Sequence, residues 1–318
     1  MSLSENVRTG DMRSIARALT IVENNDQGRE DLVDSLHPYC GNAVVWGVTG
    51  PPGAGKSSLV DHIITLLRKD GKRVGIIAVD PSSPFTGGAI LGDRLRMQSH
   101  AADDGVFIRS MASRGHLGGV SATTGDAVKI LDAAGYDVVI LETIGVGQTE
   151  IDVMRIADVI LLVLVPGLGD EIQALKAGVM EIGDIFIVNK SDKDGADKVR
   201  AEVEYILSLK YADAPEKKNP VVMASALRSE GIDTIVLKAR EFFAQMQENG
   251  GLETRRKKRI ELEIRKSLLH KIEQAVHYNL DFENQIDSWI DAIYSRHEPM
   301  YRLVTNKSKH ILKEHAAS

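Results

Sequence analysis

A chain of 318 residues is long enough for one large domain with extensions or for two modest ones. Its 43% hydrophobic and 26% charged residues are the composition of a globular protein with a sizeable core, and a formal net charge of −6 argues against a general nucleic-acid binder. The single cysteine, Cys40, excludes an internal disulfide and a cysteine-rich metal site, and suits a reducing cytoplasm.

The N-terminal stretch MSLSENVRTGDMRSIARALT has no continuous apolar segment of the kind a secretion signal needs. Asp11 is placed to cap a helix whose apolar positions Ile15, Leu19 and Val22 share one face. From about residue 43 to 225, short apolar runs alternate with longer helix-like segments. The runs predict strands at Val44–Val48, Val74–Val79, Val106–Ile108, Val138–Leu141, Val159–Val165, Ile185–Val188 and Val221–Met223. Most are apolar throughout rather than alternating, as in strands buried on both faces of a parallel sheet. Ser57–Lys69, Thr123–Ala134 and Asp194–Leu209 are long enough for crossover helices. The expected fold is therefore α/β, a doubly wound, mostly parallel sheet with sites at the carboxyl ends of its strands. The longest apolar run, Val159–Val165, is far short of the roughly 20 residues that span a bilayer.

Beyond Asn249–Gly251 the chain reads as helical to about Leu312, with Ile260, Ile264, Leu268 and Ile272 recurring every fourth residue. That stripe must be buried on the preceding domain, a second subunit or a partner. The basic run Arg255–Arg259 (RRKKR) is read as the solvated start of this amphipathic helix. The expected division is an N-terminal helical extension (residues 1–42), an α/β domain (43–250) and a helical C-terminal region (251–318).

The strongest chemical signal is GPPGAGKSS: Gly50, Pro51, Pro52, Gly53, Ala54, Gly55, Lys56, Ser57 and Ser58. It matches GxxxxGK[ST], and it follows a predicted strand and opens a predicted helix, which is the context the motif needs. Backbone N–H groups of such a loop cradle phosphates; Lys56 would reach the β- and γ-phosphates and the Ser57 hydroxyl would ligate Mg²⁺. Asn189, Lys190 and Asp192 of NKSD follow the sixth strand. A carboxylate there can accept from both N1–H and the 2-amino group of guanine, whereas adenine offers neither donor, and sites of this kind discriminate by roughly 10⁴-fold. Ser225, Ala226 and Leu227 follow the next strand, where a second guanine-contacting loop is expected. Order and spacing favour GTP and GDP over ATP.

Asp80 and Glu142 end strands, and Asp93 lies in GDRLRM; all three could gather with Ser57 around Mg²⁺. In ETIGVGQTE, the Gly145 N–H would meet the γ-phosphate, but the next residue is Val146, and Gln148 comes only three places after the glycine. No side chain is obviously pre-placed to orient the attacking water. Asp170 and Lys176 are the charged residues of note in a further loop, PGLGDEIQALKAG. The nine histidines are scattered; His116 in SRGHLGG is the one inside a glycine-rich loop.

The series GPPGAGKSS, VDPSSPFTGGAILGDRLRM, SRGHLGG, ETIGVGQTE, PGLGDEIQALKAG and NKSD resembles the MeaB/ArgK family of P-loop GTPases over nearly the whole chain. The resemblance implies a GTPase of low basal activity that serves as chaperone to an adenosylcobalamin-dependent acyl-CoA mutase, of the methylmalonyl-CoA mutase type. It implies a homodimer joined through the C-terminal helices, with Ser57, Asp80, Asp93 and Glu142 at the Mg²⁺ and switch positions. It also implies that Asp170 and Lys176 couple the site to the mutase. The short N-terminal preface suits a bacterial cytoplasmic member, with no membrane or nucleic-acid partner. Competing readings are a metallochaperone-type GTPase for metalloenzyme maturation, which predicts a His- or Cys-rich metal tract, and a protein kinase of a periplasmic transport system, which predicts ATP. A third is an interaction protein with an inactive nucleotide site, which Lys56, Ser57 and Asp192 disfavour.

Overall fold

The computed structural model of the chain describes residues 2–80, 100, 102–112, 119–143, 154–167, 179–213, 218–279, 282–295, 297 and 299–314. Three helices lead: α1 (Leu3–Arg8), α2 (Met12–Asn24) and α3 (Arg29–Leu36). A reciprocal cap opens α1, with Glu5 N–H donating to Ser2 Oγ at 3.2 Å and Ser2 N–H to Glu5 Oε2 at 2.6 Å. The predicted cap of α2 forms: the Asp11 carboxylate accepts from the Ser14 N–H at 2.8 Å, and Ile15, Leu19 and Val22 are fully buried.

The α/β core follows as β1 (Val44–Thr49), α4 (Lys56–Lys69), β2 (Val74–Asp80), β3 (Val106–Ala112), α5 (Gly119–Ala133), β4 (Val138–Thr143), β5 (Val159–Leu164), β6 (Ile185–Val188), α6 (Ala196–Lys210), β7 (Val221–Met223) and α7 (Ile232–Glu248). The strands form one seven-stranded sheet in the order β3–β2–β4–β1–β5–β6–β7, and every pairing is parallel. All seven predicted strands are present. β3 runs past Ile108 to Ala112 because Arg109, which interrupts the apolar run, is itself paired, donating to Glu23 on α2 at 2.5 Å.

Continuous apolar strands bury both faces. On one side Ile15, Leu19, Val33 and Leu36 join Leu131 of α5 over Val139 and Leu141. On the other, Leu59, Ile63 and Leu67 of α4 and Ile235 and Ala239 of α7 cover Trp46, Ile140, Leu161 and Val163. Each large aliphatic chain so withdrawn from water contributes about 1.5–3 kcal/mol, which fixes the sheet as a rigid platform under the loops at its carboxyl edge.

At the opposite edge, buried carboxylates take up the N–H groups where strands begin. Asp132 accepts from Asn42 at 3.1 Å and Ala43 at 2.9 Å, Asp158 from Val45 at 3.0 Å, and Asp184 from Ile160 at 2.9 Å. The counter-charges come from the RRKKR run, and here the reading of that run as a solvated helix start is corrected. Only Lys257 and Lys258 face solvent. Arg255 donates to Asp184 at 2.7 and 2.8 Å, Arg256 to Asp158 at 2.9 and 2.7 Å, and Arg259 to the Ile156 carbonyl. A carboxylate 1% exposed, as Asp158 is, needs such a partner.

The chain divides into two compact units, Met1–Arg259 and Ile260–Ser318, so the division falls inside helix α8 (Gly251–Asn279), just after the last of these arginines. The second unit continues with α9 (Phe282–Tyr294) and α10 (Met300–Glu314). Within it, the Lys307 ammonium lies 4.8 Å from the centre of the buried Trp289 ring. Ile260, Ile264, Leu268 and Ile272 remain 51–58% exposed in the single chain. Among the described residues, no helix is long and apolar enough to cross a membrane.

Candidate nucleotide-binding site

β1 delivers the chain into the glycine-rich loop, and α4 begins at Lys56. Two of its glycines are dictated by close approach. At Gly50 (φ 150°) a Cβ would lie 2.2 Å from the Val163 carbonyl oxygen, and at Gly55 (φ 84°) it would lie 2.5 Å from Asn189 Nδ2. No side chain fits either place. Pro51 and Ala54 are buried, whereas Pro52, Gly53 and Ser58 are exposed along the rim. Lys56 is only 6% exposed; its ammonium donates to the carbonyls of Gly50 at 2.8 Å and Pro51 at 3.0 Å, so the charge is held by the loop itself.

Asn189 and Lys190, directly after β6, both turn back to this loop. Asn189 Nδ2 donates to the Ala54 carbonyl and Lys190 Nζ to the Gly53 carbonyl, each at 2.7 Å. Asn189 Oδ1 in turn accepts from the Ala226 N–H at 3.1 Å, so one buried amide spans the two loops. Ser225 is bridged to Glu230 by backbone bonds of 3.0 and 3.1 Å, which closes the turn that carries Ala226 and Leu227. The Ser225 hydroxyl donates to Asp192 Oδ1 at 2.5 Å. That hydrogen bond is the main reason the Asp192 carboxyl is held below the ordinary aspartate value. An ionised Asp192 only accepts, which matches the paired donors of guanine and not the edge of adenine. Asn189, Lys190, Asp192, Ser225, Ala226 and Leu227 all line one cavity of about 570 Å³, and Leu227 is 87% exposed.

The Ser57 hydroxyl donates to Glu142 Oε1 at 2.6 Å where β4 ends, and both residues are buried. Beside them Thr143 Oγ1 donates to Thr49 Oγ1 at 3.0 Å, joining the carboxyl ends of β4 and β1. A hydroxyl and a carboxylate are hard oxygen donors, and Mg²⁺ takes few protein ligands because it keeps waters and phosphate oxygens. The Ser57–Glu142 pair therefore fits that ion. Among the described residues no group of three or more His, Cys, Asp or Glu side chains forms another candidate metal site.

The backbone of Asp80 ends β2 in register with Ala112 of β3. Its side chain, together with Asp93, Gly145, Gln148, Asp170, Lys176 and His116, lies outside the described residues. Two contributors were missed in the sequence. His62 of α4 lines the same cavity as Asn189 and Asp192 and meets the Ala226 carbonyl at 2.8 Å, and Asp61 beside it meets His100 at 3.1 Å. Helical spacing was the available signal, since residue 62 stands one turn beyond Ser58 on the same face.

Comparison with known proteins gives the same direction. A protein-family model described as methylmalonyl-CoA mutase-associated GTPase MeaB matches residues 15–281. A putative GTPase of Pyrococcus abyssi is 50% identical over 265 residues, covering 83% of this chain and 82% of that protein. GTPase ArgK of Escherichia coli is 38% identical over 284 residues, covering 87% and 86%. A mitochondrial methylmalonic aciduria type A homolog of Caenorhabditis briggsae is 35% identical over 272 residues, covering 80% of this chain and 66% of that protein. A crystal structure described as a LAO/AO transport system kinase superposes with a TM-score of 0.73 at 29% identity, covering 98% of this chain and 96% of that one.

Proposed function

The chain belongs to the MeaB family of methylmalonyl-CoA mutase-associated GTPases, and on that premise we propose that its GTPase cycle serves an adenosylcobalamin-dependent acyl-CoA mutase of the methylmalonyl-CoA type. It would act as a chaperone that gates cofactor loading and protects or reactivates the mutase. The observation that carries the nucleotide half is the Asn189 side chain, which joins the phosphate loop at Ala54 to the base loop at Ala226. The mutase half rests on the family and on the relative named for methylmalonic aciduria.

In the proposed cycle, guanine enters the cavity against Asp192 while the backbone N–H groups from Gly53 to Ser57 receive the phosphates. Lys56 exchanges the Gly50 and Pro51 carbonyls for β- and γ-phosphate oxygens and offsets charge as the bond to the γ-phosphoryl breaks. Mg²⁺, held by Ser57 and directly or through water by Glu142, would supply the further positive charge that this transfer needs. We assign Asp80 and Asp93 to the same ion, Gly145 to the γ-phosphate, and Gln148, Asp170 and Lys176 to switching. With Val146 after the switch glycine, basal hydrolysis is slow and docking of the mutase completes the site. An added transition-state arginine alone is worth roughly 10³–10⁵ in rate.

We further propose that the chain works in the cytoplasm as a homodimer joined through the C-terminal region (251–318), whose apolar stripe is exposed in the single chain. Residues 1–42 act as a helical extension and 43–250 as the GTPase domain. The test is steady-state hydrolysis of GTP, with ATP as control, with and without a cobalamin-dependent acyl-CoA mutase from the same organism. Slow GTP turnover that rises at least about tenfold with the mutase supports the reading. Slow turnover that no mutase changes removes the chaperone role and leaves the GTPase. Rapid turnover of GTP alone overturns the partner-completed site, and preferential turnover of ATP overturns guanine specificity.

A further inference from the structure

We propose that His62 is a positioning residue for guanine recognition, acting through the Ala226 peptide rather than on the phosphates. The inference rests on the guanine reading of the site and names a specificity determinant within it.

Ala226 sits at the tip of the turn that Ser225 and Glu230 close by backbone bonds. Inside that closure the Arg228 N–H donates to the Ser225 carbonyl at 3.2 Å, while Leu227 is 87% exposed and Ser229 adopts a left-handed φ of 56°. Both backbone polar groups of Ala226 are nevertheless occupied, each by a side chain from a different element. Its N–H donates to Asn189 Oδ1 at 3.1 Å, and its carbonyl meets His62 Nε2 at 2.8 Å. A carbonyl oxygen only accepts, so the proton must be on Nε2 and the imidazole donates.

His62 comes from α4, the helix that begins with Lys56 and Ser57. The ring therefore ties the base loop to the same rigid helix that presents the phosphate-binding lysine and the hydroxyl. Asn189 makes the parallel tie from β6 to the phosphate loop. Together they set the distance between base loop and phosphate loop before a nucleotide arrives. A loop already ordered in its binding geometry loses less conformational freedom on binding, and the benefit appears as affinity. The competing reading is a rim histidine satisfied by a convenient carbonyl, with no effect on recognition. The two differ in which ligand feels the loss. A tie to the base loop matters for a nucleotide that the base loop reads, and not for one held by its phosphates alone.

The test is isothermal titration of the full-length protein with GDP and with ADP, alongside GTP turnover measured over a range of GTP concentrations, for wild type, His62→Ala and His62→Gln. A net hydrogen bond of ordinary strength sets the scale, so His62→Ala is expected to weaken GDP about three- to tenfold. It should leave ADP within about twofold, and leave kcat unchanged while KM for GTP rises. Glutamine keeps an N–H donor of similar reach, and His62→Gln is expected to restore GDP to within about twofold of wild type. Unchanged GDP affinity in His62→Ala overturns the inference, as does equal weakening of GDP and ADP, which would report a disturbed α4. Failure of glutamine to restore binding also overturns it, by removing the hydrogen bond as the cause. Wild type that binds GDP no tighter than ADP overturns the guanine reading itself, and is told apart because it appears before any substitution.

Discussion

Arg256 closes on both carboxylate oxygens of Asp158, Nε to Oδ1 at 2.9 Å and Nη2 to Oδ2 at 2.7 Å, and Asp158 Oδ2 at the same time accepts the Val45 N–H. The hydrogen bond to Asp158 is the main cause that raises the Arg256 guanidinium above its ordinary value. The pair thus fixes the first turns of α8 to the start of β1, the strand whose other end becomes the phosphate loop.

Removal of the arginine leaves a carboxylate that is 1% exposed with one backbone donor and no bidentate partner: Arg259 stands 4.0 Å away, and Arg255 donates to the Asp158 backbone carbonyl while its fork is taken by Asp184. Breaking one side of a buried pair costs about 3–5 kcal/mol. Arg256→Ala is therefore expected to lower stability by about 3 kcal/mol in urea unfolding. Lys257→Ala, which breaks an exposed pair with Glu253, is expected to change it by less than about 1 kcal/mol. Equal effects from the two variants would show that Asp158 is satisfied without Arg256.

A second prediction concerns the phosphate loop. A methyl group at Gly55 would stand 2.5 Å from Asn189 Nδ2, at a φ of 84° that side chains rarely adopt. Gly55→Ala must therefore push Asn189 off the Ala54 carbonyl, which loosens phosphate loop and base loop together. The expected result is GDP affinity reduced by at least about tenfold, with the loss of a buried hydrogen bond added to backbone strain. Gly53→Ala is the control, since its Cβ would meet nothing within 4 Å even though its φ of 72° carries the same strain. If the two alanines weaken GDP equally, strain alone is responsible and the contact with Asn189 contributes nothing.

Such contacts mark the limit of what the sequence reveals. All seven strands were legible because strands covered on both faces read as short, continuous β-rich apolar runs bounded by turn residues. That Gly50–Ser58, NKSD and Ser225–Leu227 come together was legible because a nucleotide site asks for fixed residue types at fixed spacing, and the structure joins the three segments through Asn189. The role of Arg255, Arg256 and Arg259 was hidden, because three arginines look solvated until Asp158 and Asp184, far away in sequence, are folded beneath them. His62 was hidden for the same reason: its partner is the backbone of Ala226, and a carbonyl has no residue type to recognise.

The Ser57–Glu142 pair yields a metal-dependence prediction. Glu142→Gln keeps the size and an acceptor for the Ser57 hydroxyl but removes the negative charge beside it. Loss of such a carboxylate near a bound ion weakens metal affinity by about 10–100-fold. The Mg²⁺ concentration for half-maximal GTP turnover is expected to rise by at least about tenfold in Glu142→Gln, with GDP binding in the absence of metal unchanged. A fall in kcat at unchanged Mg²⁺ dependence would instead place Glu142 on the reacting phosphoryl group.

Cys40 provides a prediction in pH. Burial is the main force pushing its thiol up to about 11, with the Asp132 carboxylate adding to it and Lys129 opposing it. The sulfur lies 3.3 Å from the Lys129 carbonyl and 3.4 Å from the Leu36 carbonyl, which holds the thiol form in place. Because the thiolate is the reactive species, a thiol reagent at pH 8 should modify native Cys40 about a hundredfold more slowly than the unfolded chain. The sign for stability follows from the raised value. Folding is favoured in full below the ordinary thiol value near 9, and this contribution is lost as pH rises through about 11, because the unfolded chain releases the proton first. Urea midpoints measured from pH 8 to 11 should therefore fall more steeply for the native sequence than for Cys40→Ala. Parallel pH profiles would show that the thiol does not titrate differently in the folded protein.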